Sequence, residues 1–135
     1  MKLENNWQTK TLENLEKDYW GEPGYDSNLV ITCHKLRKKP LDEFSIGDLR
    51  IMIGQNIGLK FLIPIAIDEL RKNILAEGDF YPGDLLQAVL HSEADFWKDN
   101  RDYFIEMRKL VELNIDEIMS NNIKLTRFEK IDPVK

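Results

Sequence analysis

Apolar positions recur at helical rather than strand spacing along most of this chain. Thr11 is suited to cap a first helix running to about Trp20, with Leu12, Leu15 and Tyr19 on one face. The stretch "GEPGYDSN" breaks the pattern. Ser27 or Asn28 then starts "LVITCHKLRKK", whose basic end complements the helix dipole before Pro40 stops it. Ser45 and Asp48 have the form of a capping box and open "DLRIMIGQN". A fourth helix is predicted over roughly 59–73, where Pro64 either kinks it or marks its true first turn. Leu62, Ala66 and Leu70, with Ile63 and Ile67, give that helix a broad apolar face and make it the expected central element. Pro82 suits the first position of a short helix bearing Leu85, Leu86, Val89 and Leu90. Ser92 with Asp95 repeats the capping-box form and introduces the longest helix, ending near Asn121. Its face is Trp97, Phe104, Met107, Val111, Ile115 and Ile118, at spacings of 7, 3, 4, 4 and 3. The tail "IKLTRFEKIDPVK" alternates apolar and polar residues and is expected to be extended and to pack on the helices. The pattern predicts an all-α fold: a single-domain irregular bundle of about six helices over residues 1–135, with an extended C-terminal tail.

Length and composition sharpen this. A chain of 135 residues is long enough for one real core. Charged residues make up 32% and the net charge is −5, which argues against nucleic acid and favours a basic protein as partner. Cys33 is the only cysteine, so no internal disulfide can form, in keeping with a reducing cytoplasm. "MKLENNWQTK" lacks the apolar core of a signal peptide, and "FLIPIAI" is too short to span a bilayer. The expected location is cytoplasmic, with no membrane partner.

Candidate chemistry is sparse. Cys33 and His34 are neighbours that point about 100° apart on a helix, and His91 is distant, so zinc is not expected. No cofactor is expected either: there is no P-loop, and "GQNIG" lacks the lysine and serine of a phosphate loop. "EGDFYPGDLL" holds three carboxylates, Glu77, Asp79 and Asp84. It reads as a helix start in which Gly78 and Gly83 permit tight backbone, an aspartate satisfies orphan amides, and Phe80 and Tyr81 pin the loop to the core. The alternative is a small metal-dependent enzyme built on those carboxylates. A helix-turn-helix DNA reader across residues 45–73 has roughly the right cadence but the wrong charge balance. Asp95, Asp99, Asp102 and Glu106, spaced 4, 3 and 4, form an acidic stripe on the predicted long helix. It spans about 16 Å. Two readings stand: a solvated face near the helix start, or a docking stripe for a basic partner with Tyr103 as aromatic neighbour.

The central block carries a resemblance. "KPLDEFSIGDLRIMIGQNIGLKFLIPIAIDEL", followed by "EGDFYPGDLLQAVL", resembles the immunity proteins of bacterial contact-dependent growth inhibition (CDI) systems. The matching positions include Pro40, Leu41, Ser45, Asp48, Leu49, Arg50, Gly54, Gln55, Gly58, Leu59, Pro64 and Ala66, then Glu77 through Leu86 as a block. The resemblance covers about residues 11–97. It implies a protein that is no enzyme and that binds and neutralises the C-terminal toxin domain of its cognate system. A toxin acting in the cytosol, expected to be a basic nuclease, suits an acidic inhibitor. A motif common to the family suits a common fold, so Arg50, Gln55, Glu77, Asp79, Tyr81 and Asp84 are expected to be mainly structural. The expected partner contacts are Asp95, Asp99, Asp102, Glu106 and Tyr103.

Overall fold

A computed structural model describes residues 6–22 and 27–131. The opening residues 1–5, part of the predicted break (23–26) and the tail's last residues 132–135 lie outside the described residues. The described chain is all-helical, with nine α-helices and no strand among the described residues. The helices are α1 (Leu12–Glu16), α2 (Asn28–Leu36), α3 (Ile46–Gly54), α4 (Leu59–Lys72), α5 (Asp84–Leu90), α6 (Ala94–Asp99), α7 (Arg101–Leu113), α8 (Ile115–Ser120) and α9 (Thr126–Glu129).

The N-terminal caps are local and form as the sequence dictates. Thr11 Oγ1 accepts from the Asn14 amide at 3.2 Å, and Ser27 Oγ accepts from the Val30 amide at 3.4 Å. Ser45 and Asp48 close a reciprocal capping box on α3, each bond 3.1 Å. Lys39 Nζ adds a second donor to Asp48 Oδ2 at 2.8 Å.

α1 stops at Glu16, short of the expected Trp20, and Tyr19 is exposed rather than on an apolar face. Arg37 supplies the reason. It belongs to the basic helix end, yet it is 1% exposed. A buried guanidinium needs partners. The chain after Glu16 turns to provide them: Glu16 pairs with Nη1, the Asp18 carbonyl accepts from Nη2 at 2.6 Å, and the Trp20 ring covers the guanidinium at 4.4 Å.

α4 is the central helix, packed against α3, α5 and α7. Phe61, Leu62, Ile63, Ala66, Ile67 and Leu70 are all buried. Pro64 lies inside the helix and not in its first turn, leaving the Lys60 carbonyl without its usual amide donor. Pro82 likewise misses the first position of α5. Gly83 precedes that helix at φ 91°, its amide bonded to the Leu75 carbonyl at 3.0 Å. At this positive φ the position favours glycine, and a Cβ there would also displace the tip of the Ile123 side chain.

The single long helix predicted up to Asn121 is three helices. Asn100 and Asn114 interrupt it, at φ −129°, ψ 61° and φ −119°, ψ 22°. Each folds its amide back: Asn100 Nδ2 donates to the Phe96 carbonyl at 2.8 Å, and Asn114 Nδ2 to Leu110 at 2.9 Å. The re-aimed segments keep Trp97, Phe104, Met107, Val111 and Ile118 buried, while Ile115 emerges. The expected capping box at Ser92 is absent: Ser92 Oγ donates to the Ala88 carbonyl at 3.2 Å and Glu93 precedes α6 without a side-chain cap. The tail is not extended throughout but closes into α9, burying Ile123, Leu125, Phe128 and Ile131. Spacings of three from Leu125 onward are helical, which overrides the alternation read at its start.

Candidate partner-binding surface

The break at Asn100 divides the acidic stripe. Asp95 and Asp99 belong to α6, Asp102 and Glu106 to α7. Asp99, Asp102, Tyr103 and Glu106 line one depression of about 410 Å³, with Asn100 and Arg101 completing it; Asp95 lies outside it. The four carboxylates are not equivalent. Glu106 is half-buried and paired with Arg71 Nη2 of α4, whose Nη1 also bonds Asp68 Oδ1 at 2.7 Å. It therefore ties α7 to the central helix. Asp95, Asp99 and Asp102 are exposed and pair with no described cation. Tyr103 is the aromatic of this surface, half-buried; its neighbours Trp97 and Phe104 are core residues.

Burial, then the charges of Glu106 and Asp102, push the Tyr103 phenol above its ordinary value of 10.0. The neutral phenol is thereby kept as a hydrogen-bond donor into alkaline solution. The stability linked to it is fully present below the unfolded value and is lost as pH rises through the folded one. Phenolate absorbance is expected to place Tyr103 above the ordinary value, and Asp102→Asn to bring it down; an unmoved titration in that variant would contradict this account.

The motif loop is built around a different carboxylate. Asp84 is 3% exposed. Its Oδ1 accepts from the Gly78 amide at 2.6 Å and its Oδ2 from the Phe80 amide at 3.0 Å. Arg50 of α3 reaches in, Nε 3.6 Å from Asp84 Oδ2 and Nη2 3.8 Å from Asp79 Oδ2. Its guanidinium carbon sits 4.2 Å from the Phe80 ring centroid. A Cβ at Gly78 would come within 3.2 Å of both Asp84 Oδ2 and Gly47 Cα, so α3 and the loop approach backbone to backbone.

Phe80 and Tyr81 do not pin the loop to the core. They are 69% and 45% exposed, because Phe80 caps Arg50 from outside. Arg50, Asp79 and Asp84 are gathered into one cluster; Gln55, Glu77 and Tyr81 are exposed. Asp84 is turned inward to the Gly78 and Phe80 amides, and no group of three or more His, Cys, Asp or Glu among the described residues could hold a metal ion. Cys33 is buried and its thiol pushed upward by that burial, the reverse of nucleophile activation. Sequence reading missed the buried Arg37 and the Glu106–Arg71 tie, since both join segments distant in the chain. No helix among the described residues is long and apolar enough to cross a membrane.

Comparison with known proteins found no match among curated proteins and none among solved structures. The family model for CDI immunity proteins matches residues 14–107, from α1 into α7. That span holds the Asp84 cluster, the central helix and the acidic depression, and it covers more than two thirds of the chain. The chain belongs to the family of CDI immunity proteins.

Proposed function

We propose that this chain neutralises the C-terminal toxin domain of its cognate CDI system in the cytoplasm by binding it, as a single immunity domain that catalyses nothing itself. The proposed toxin is a nuclease whose substrate-binding surface is basic. The proposed contact is the acidic depression, with Asp99 and Asp102 facing toxin cations and Tyr103 as the aromatic anchor. One observation carries this reading: exposed carboxylates without internal partners stand beside a half-buried aromatic, inside the span shared with the family. Glu106 contributes less, being already engaged by Arg71. The DNA-reader alternative has no support from the fold, because α4, the helix it would expose, is the centre of the core.

The test is the association rate with the cognate toxin domain. Asp99→Lys with Asp102→Lys is expected to slow association about tenfold at low salt and to flatten its salt dependence. Both residues are exposed, so the thermal melt is expected to stay in place. An unchanged association rate in the reversed variant would sink the proposed interface.

A further inference from the structure

On α6 the charge changes sign at Lys98, about 100° round the helix from Asp99 and about 60° from Asp95. Lys98 faces a groove of about 470 Å³ whose other cations, Lys124, Arg127 and Lys130, come from the C-terminal segment, with His91 also among its lining residues. No carboxylate lines it, and none of these four cations pairs with a described acid. This contrasts with Arg37, Lys39, Arg50 and Arg71, each of which has an internal anionic partner.

The groove is fixed from behind. Ile123, Leu125, Phe128 and Ile131 are buried, so the residues between them are turned to solvent. Gln87 of α5 holds the Lys124 main chain from both sides: Lys124 N–H donates to Oε1 at 3.2 Å, and Nε2 donates to the Lys124 carbonyl at 3.3 Å. Four like charges are thus assembled with no ion-paired carboxylate among the described residues, in a protein of net charge −5. A bound anion would offset their mutual repulsion. Three of the four lie beyond residue 107, outside the span matched by the family.

We propose that this groove is a docking site for an acidic polypeptide segment, a contact separate from the acidic depression. A carboxylate-bearing peptide suits it better than a phosphodiester backbone on two grounds. The footprint is short and flanked on α6 by Asp95 and Asp99, which repel a continuous polyanion passing over them. Its walls include Ala94 and Ile131, which accept apolar side chains interspersed among carboxylates.

The full chain is to be titrated with a fluorescent oligoglutamate peptide at low salt, and in parallel with an oligothymidylate of equal charge. Saturable peptide binding is expected, weakened about tenfold or more in Lys124→Glu/Arg127→Glu/Lys130→Glu and in the same direction by Lys98→Glu alone. The two variants alter exposed side chains on separate segments, and thermal melts confirm their folding. Asp99→Lys/Asp102→Lys, which weakens the other proposed contact, is expected to retain or tighten peptide binding, since it removes a flanking carboxylate, so the two proposals fail separately. Absence of saturable binding, equal binding by the reversed variants, or tighter binding of the oligothymidylate would each overturn the proposal, the last by making the groove a nucleic-acid site.

Discussion

Trp97→Ala is expected to cost about 3–5 kcal/mol of folding stability, read as a fall in the denaturant midpoint. Trp97 is 0% exposed. Its ring meets Phe96 at 5.1 Å, Phe104 at 6.3 Å and Phe128 at 5.4 Å, all edge-on. Phe104 and Phe128 also meet each other at 5.0 Å, so α6, α7 and α9 converge on one indole. Truncation to Ala leaves a cavity that none of those helices can fill without shifting. One detail refines the expectation. The indole N–H finds no acceptor among the described residues, and a buried donor without a partner is itself a penalty. Trp97→Phe is therefore expected to lose much less than the volume removed would imply. Equal losses for Phe and Ala would show that the N–H is satisfied or that the site does not depend on ring stacking.

Asp84→Ala is expected to cost about 3 kcal/mol. It frees the Gly78 and Phe80 amides and leaves Arg50 with only the looser Asp79 contact. The two contributions separate in a double variant. If the stranded guanidinium is the larger cost, Asp84→Ala with Arg50→Met regains part of the loss; if the amides are, the double variant is no better than the single. Either way the loop between α4 and α5 loosens, and in the double variant Phe80 also loses the cation beneath its ring. No change in stability would mean that the loop is held by its glycines and Leu75 alone.

These expectations also explain how "EGDFYPGDLL" combines architecture with exposure. The acidic residue that satisfies the loop is Asp84, buried and bonded to two loop amides, whereas Asp79 stays mostly in water beside Arg50. The aromatics serve as an outer cover for Arg50 and not as an inner anchor. From sequence, Phe and Tyr next to a buried run read as core; only the presence of Arg50 beneath Phe80 turns that reading round.

What the chain determined by itself is local. The caps at Thr11, Ser27 and Ser45, the helical class and the buried faces of α4 and α5 depend on residues within one or two turns, so periodicity and capping chemistry are enough to read them. The family resemblance came from the same kind of contiguous motif. The candidate surfaces were decided elsewhere. Asn100 is an unremarkable residue for a helix exterior until its amide folds back on Phe96 and divides the acidic stripe. Glu106 looks free until Arg71, 35 residues earlier, reaches it. Lys98 becomes part of a basic groove only because Gln87 clamps Lys124, 37 residues on, against α5. Each of these depends on a contact between distant segments, whose energy comes from packing that local spacing does not encode.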